Sequence, residues 1–265
     1  MPSPTRPKGL LFDIGGVCVV SPFQAILDYE LANNIPTGWV NYSIQHTSPN
    51  GAWHKIERGE VKIDADFFKE FNSDFRHQNL WEAFHAQQIK KRGVTASSQP
   101  PSSSTLPPLP KIDAEFLFWE MMRVARSPDP YMFPALAKLK ASGQFVLGAL
   151  SNTTILPADH PLGAEVDVKQ FFDFFISSAH VGLRKPDPRI YALALKEMNE
   201  AARKKGLSEV EAGDVVFLDD IGINLKWAKK AGMRTIKVDL GRTREAVREL
   251  EEMTGLKLLE DMAKL

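Results

Sequence analysis

One cysteine, Cys18, stands in 265 residues, so neither an internal disulfide nor a cysteine metal cage can form, and its apolar neighbourhood suits a reducing compartment. The chain also lacks a surplus of either charge: 33 Lys and Arg balance 33 Asp and Glu. Nothing global then steers it toward nucleic acid or an anionic membrane surface. Long apolar runs are missing too. The most apolar N-terminal stretch, residues 9–20, is too short to span a bilayer and holds Asp13 near its middle, which also spoils it as a signal-peptide core. On these absences the chain is expected in the cytoplasm. The last three residues, Ala263-Lys264-Leu265, match the small-basic-Leu pattern of a peroxisomal import tripeptide, which is the alternative address.

What is present fits one large folded domain or two modest ones, with 43% hydrophobic and 25% charged residues. Short apolar runs end abruptly in polar residues at 9–13, 145–151 and 215–219, and read as buried parallel strands. Helix-period segments follow at 188–203 and 224–231, then a further short run at 235–238. Strand, helix, strand is the pattern of an α/β fold, a Rossmann-like doubly wound parallel sheet. Residues 21–126 interrupt it with helical patterns at 23–31, 66–75, 80–91 and 114–126. This predicts a core domain of residues 1–20 and 127–265 with an inserted helical cap at 21–126. Trp39, Trp53, Trp81 and Trp119 fall in the insert and are expected to pack it. Residues 94–110 hold five serines and five prolines, and read as a loop without a core of its own.

Four segments at predicted strand ends or helix starts converge on the sheet edge where open α/β folds bind ligands. They are Phe12-Asp13-Ile14-Gly15-Gly16, Leu150-Ser151-Asn152, Arg184-Lys185-Pro186 and Leu218-Asp219-Asp220. Glycines let backbone amides approach an anion, and a lysine before proline leaves a stiff turn. Adjacent carboxylates near a third repel one another unless a hard cation joins them, and an oxygen donor set selects Mg²⁺. A dianionic phosphoryl group is then balanced by Mg²⁺, Lys185, Ser151 and amides, leaving Asp13 to attack phosphorus and form an aspartyl-phosphate. Singly, each piece has an ordinary reading as a turn or a helix cap. Their joint order carries the argument.

That order resembles the haloacid dehalogenase-like hydrolase superfamily, and within it the phosphatase-like N-terminal domain of soluble epoxide hydrolases and related sugar-phosphate phosphatases. The segments Ile56-Glu57-Arg58-Gly59-Glu60, Val181-Gly182-Leu183-Arg184-Lys185-Pro186 and Val216-Phe217-Leu218-Asp219-Asp220-Ile221-Gly222-Ile223-Asn224 also carry the likeness. The resemblance implies Asp13 as nucleophile and metal ligand, the Gly15 carbonyl and Asp220 as further metal contacts, and Asp219 supporting through water. It implies that Ser151, Asn152 and Lys185 hold the phosphate, with the Gly15-Gly16 turn beside it. The implied cofactor is Mg²⁺ and the implied partner a small phosphorylated metabolite, with no nucleic acid and no membrane. A homodimer stays open, since cap surfaces often pair.

Gly15 departs from the pattern. Most family phosphatases carry there a second aspartate that protonates the leaving oxygen, and its loss removes general acid–base help typically worth about 10²–10⁴-fold. Esters with acidic leaving groups are expected to suffer least. Substitutes in the insert are His46, His54, Glu57 and Glu60. Two alternatives stand beside a phosphatase: a catalytically silent protein that binds phosphorylated ligands or a partner, and dehalogenase or phosphonatase chemistry. Keeping both Asp219 and Asp220 argues against the dehalogenase, and a phosphonatase needs a cap lysine from among Lys55, Lys62 and Lys69.

Overall fold

The computed structural model describes residues 6–91, 106–163 and 167–260. Residues 94–105 of the Ser/Pro-rich stretch and the tripeptide Ala263-Lys264-Leu265 lie outside the described residues. Two compact units emerge, one of Met1–Pro22, Glu57–Glu60 and Met122–Leu265, the other of Phe23–Ile56 and Val61–Met121. Glu57–Glu60 thus groups with the first unit although it falls inside the helical segment of the sequence.

The second unit is helical: α1 (Pro22–Ala32), α2 (Trp39–His46), α3 (Ala52–Glu57), α4 (Ala65–Asp74), α5 (Gln78–Lys91) and α6 (Ala114–Val124). Aromatic rings fill it. Trp39 and Trp81 are fully buried and meet edge to face at 4.8 Å. Trp53 packs on Phe71 and Phe118, and Trp119 on Phe68. The buried Glu30 carboxylate accepts from Gly38 N at 2.7 Å and Val40 N at 2.8 Å, satisfying amides at the start of α2 that no side-chain cap serves.

Among the described residues the first unit carries five parallel strands, β1 (Gly9–Phe12), β2 (Val146–Ser151), β3 (Phe174–Ser177), β4 (Val215–Asp219) and β5 (Arg234–Lys237), in the order β3-β2-β1-β4-β5. Its helices are α7 (Met132–Ser142), α8 (Ser178–Val181), α9 (Pro188–Lys204), α10 (Gly222–Lys230) and α11 (Thr243–Thr254). Successive strand residues face opposite sides. Leu10 and Phe12 therefore pack with Leu136, Leu139 and Val247 of α7 and α11, whereas Leu11 packs with Ile190, Ala194 and Leu225 of α9 and α10. Helices on both faces explain why β1, β2 and β4 are buried along their whole length and apolar up to the polar residues Ser151 and Asp219 that end β2 and β4. Gly148 admits the edge strand: a Cβ there would lie 2.1 Å from the ring of Phe174, its register partner on β3. Among the described residues no helix is long and apolar enough to cross a membrane.

The amino-end of the sheet is tied by Asp173. Its carboxylate accepts from Lys140 Nζ at 2.7 Å, Leu147 N at 2.9 Å and Lys205 Nζ at 2.9 Å, joining α7, β2 and the end of α9. Burial works to raise its pKa, but the hydrogen bonds from Lys140, Leu147 and Lys205 outweigh that and hold it below the usual carboxylate range. A carboxylate depressed on folding adds stability that is fully present above its unfolded pKa of about 3.9 and is lost as pH falls through the folded value. Asp173→Asn is therefore expected to lose about 2 kcal/mol at pH 7. Urea melts of both proteins from pH 7 to pH 3 check this, since the gap must close toward the acid end.

Candidate active site

Parallel register sets the site. Phe12 of β1 pairs with Ala149 of β2 and Leu218 of β4, so Asp13 leaves the sheet level with Asp219. Asp13 N still donates to Leu218 O at 2.9 Å, which fixes where its side chain begins. Ser151 ends β2 and is buried, 3% exposed. Between the carboxylates lies the ammonium of Lys185, a residue 1% exposed, 2.9 Å from Asp13 Oδ2 and 2.7 Å from Asp219 Oδ2.

Asp13, Asp219 and Asp220 offer ligand oxygens that all lie within 4.8 Å of one another. Their environments differ. Asp219 is saturated: Oδ1 accepts from Ile221 N at 2.7 Å, Oδ2 from Lys185, and Asn224 Nδ2 sits 3.1 Å from both oxygens. Asp13 Oδ1 accepts from Ile14 N at 2.7 Å. Burial first, and the charge of Asp219 next, push the Asp13 carboxyl up to about 7 against the pull of Lys185. Asp220 is pushed up to about 8 by burial and by the charges of Asp13 and Asp219. For Lys185, burial works against the charged form, yet the two carboxylates beside it hold its pKa above the usual value. Three carboxylates against one ammonium leave an oxygen-rich site short of positive charge, which is what a hard divalent cation fits.

Gly16 has φ +78°, and a Cβ on it would lie 2.4 Å from Asp220 Oδ2. Only glycine lets that carboxylate close on the β1 turn. Its amide donates to Val19 O at 2.9 Å, so the close approach it provides is to Asp220 rather than through a free N–H. Gly15 lies outside the left-handed region, and a Cβ there would meet Pro22 Cδ at 3.2 Å. Asn152 acts on the lysine: Oδ1 accepts from Lys185 N at 2.8 Å, and Nδ2 donates to Lys185 O at 3.1 Å.

The structure thus brings Asp13, Lys185, Asp219 and Asp220 into one cluster, with Asn152 clamping the lysine backbone and Gly16 against Asp220. Sequence reasoning named Asn224 within the segment 216–224 but gave it no role; it is 2% exposed in the first turn of α10 and its amide meets both oxygens of Asp219. Sequence reasoning passed over the pair in which Arg184 Nε and Nη2 reach Glu57 Oε2 at 2.7 and 2.6 Å. Of the acid–base substitutes, Glu57 is held by Arg184, and Glu60 pairs with Arg58 at 2.6 Å. In the second unit His46 stacks on Tyr42 at 3.8 Å and Lys55 pairs with Glu70 at 3.0 Å.

A parallel sheet that gathers buried carboxylates and one ammonium at its carboxyl edge defines an open α/β protein with a cation-seeking ligand site. The chain belongs to the haloacid dehalogenase-like hydrolases, whose family model matches residues 7–232. It is 42% identical over 261 residues to bifunctional epoxide hydrolase 2 of Sus scrofa, covering 97% of this chain and 40% of that protein. To glyceraldehyde 3-phosphate phosphatase of Methanopyrus kandleri it is 30% identical over 115 residues, covering 43% of this chain and 45% of that one. A solved HAD family enzyme of Bacteroides thetaiotaomicron shares the fold at 16% identity and TM-score 0.51, covering 92% of this chain and 99% of that one. The chain spans between 19% and 40% of the length of the first curated relatives it matches.

Proposed function

We propose that the chain is a Mg²⁺-dependent phosphatase for a small phosphorylated metabolite. The observation that carries this reading is the cluster of three carboxylates, Asp13 and Asp219 buried and Asp220 half-buried, served among the described residues by the ammonium of Lys185 at the carboxyl edge of the sheet. Asp13, Asp220 and the Gly15 carbonyl would hold the ion, and Asp219, whose oxygens are engaged by Lys185, Asn224 and Ile221 N, anchors the lysine behind them. When bound, Mg²⁺ offsets the charge that carboxylates and a phosphoryl group bring together.

Asp13 is the nucleophile in this reading. A carboxylate oxygen attacks phosphorus, the ester P–O bond breaks, and the substrate oxygen leaves with its electron pair. Water then attacks phosphorus in the aspartyl-phosphate and releases inorganic phosphate and free Asp13. Lys185 has three N–H donors, two of them directed at Asp13 and Asp219, and the third serves a phosphoryl oxygen beside the Ser151 hydroxyl. With Gly15 where an acid would stand, the leaving oxygen draws its proton from solvent, so esters of acidic alcohols are the preferred substrates.

Phosphate release from p-nitrophenyl phosphate, a hexose 1-phosphate and an alkyl phosphate, with and without Mg²⁺, tests this. Release is expected only with the metal, falling in that order of leaving group. Asp13→Asn is expected to lower it by about 10⁴–10⁶-fold, the scale of losing a nucleophile. Surviving turnover in that variant would sink the assignment of Asp13. Gly15 favours one second reading, a catalytically silent protein that binds phosphorylated ligands. In that case no ester is hydrolysed, and Asp13→Asn binds inorganic phosphate as tightly as the unmutated chain or more tightly, because repulsion falls.

A further inference from the structure

Beyond Ser151 the chain leaves the sheet and is braced from the corner between β3 and α8. Thr153 N donates to Ser178 Oγ at 2.9 Å, and Ser178 Oγ donates back to Thr153 O at 3.3 Å. Thr153 Oγ1 lies 2.5 Å from Ser177 Oγ, which in turn lies 2.7 Å from His180 Nδ1. Register makes this possible, since Ser151 and Ser177 are partners in the β2–β3 pair and residue 153 therefore runs out beside the start of α8. On its other side the same loop bonds the Lys185 backbone twice through Asn152. A continuous path thus joins the exposed imidazole of His180 to the residue that carries the buried ammonium.

We infer that Thr153, Ser177 and His180 are positioning residues for the loop 151–153 and, through Asn152, for Lys185. The inference rests on the phosphatase reading above. A loop just past the last ladder pair has no strand partner to hold it, and side-chain hydrogen bonds take over that task. A misplacement of about 1 Å of a catalytic group can lower a rate about 10²-fold. Ser177 owns one hydroxyl proton and two lone pairs, so it donates to at most one of its two neighbours and accepts from the other, and the imidazole tautomer sets which role it takes toward His180. Removing either end leaves that hydroxyl free to turn, and the chain fails as a unit. Residues 153 and 180 are therefore coupled, although what joins them is Ser177.

The test compares Thr153→Val, His180→Ala, their double variant and His180→Asn, which places an amide where Nδ1 sits. Hydrolysis of p-nitrophenyl phosphate with Mg²⁺, affinity for inorganic phosphate and melting temperature are measured on each. Each single variant is expected to lower kcat about tenfold with KM within about twofold, the signature of lost transition-state placement. The double variant should be no worse than the poorer single one, and His180→Asn should recover most of the loss. Additive losses, single variants with unchanged kcat, or an asparagine no better than alanine would overturn the inference. A purely structural role would lower the melting temperature and leave no split between kcat and KM. If the unmutated chain hydrolyses nothing, the phosphatase reading fails by itself. Affinity for inorganic phosphate then decides the inference by the same coupling, and independent effects, or no binding at all, would overturn it.

Discussion

Lys185→Met is expected to abolish measurable phosphate release and to lower folding stability by about 3–5 kcal/mol, the range found when one partner of a buried ion pair is removed. Methionine keeps most of the stem, so packing over Phe217, whose ring centre lies 5.3 Å from Nζ, is largely retained and the loss reports the charge. What remains is Asp13 and Asp219, both under 10% exposed, with no cation between them. Asp219 suffers most, being fully buried with Lys185 as its one ion-pair partner among the described residues. Adding Asp219→Asn to Lys185→Met removes one uncompensated charge and is expected to recover about 1–2 kcal/mol, a non-additivity that thermal or urea melts of the four proteins would measure. A Lys185→Met protein that melts with the unmutated chain would show that the ammonium is not the counter-charge of this cluster.

The parts of the fold that were legible in the sequence are those whose burial leaves a one-dimensional trace. β1, β2 and β4 lie inside a sheet covered on both faces, so their apolar runs are continuous and their polar ends abrupt. β3 escaped notice because Phe174–Ser177 is a four-residue edge strand, and three of its positions are only half-buried. β5 was expected at 235–238 and runs Arg234–Lys237, a one-residue offset at an edge where Lys237 is exposed. The short helix α2 starts on Gly38 with no side-chain cap, and its first amides are served instead by Glu30, a partner no local motif announces. Of the cluster, Asp13, Asp219 and Asp220 stood out in the sequence because strand ends are where such folds present chemistry. Contacts between segments distant in sequence did not. Glu57 meets Arg184 across 127 positions of sequence, and Asn152 reaches the Lys185 backbone across 33.

Gly15→Asp is expected to raise alkyl phosphate hydrolysis about 10²-fold or more while leaving p-nitrophenyl phosphate nearly unchanged, because a positioned acid helps only where the leaving oxygen needs a proton. The backbone accepts the change. Gly15 is outside the left-handed region, and among the described residues the one atom within 3.4 Å of a new Cβ is Cδ of the Pro22 ring, at 3.2 Å, so a shift of a few tenths of an ångström accommodates it. Gly16 next to it offers no such freedom, since a Cβ there would lie 2.4 Å from Asp220 Oδ2. The carbonyl of residue 15 is retained in either case, so a metal contact through it does not change with the side chain. Two outcomes would count against the argument, both read from kcat/KM on the paired esters. An equal gain on both would mean that the new carboxylate acts on the cluster of Asp13, Asp219 and Asp220 rather than on the leaving group. No gain on the alkyl ester would mean that another group of the chain already supplies the proton, and that the absence of a carboxylate at position 15 does not limit this enzyme.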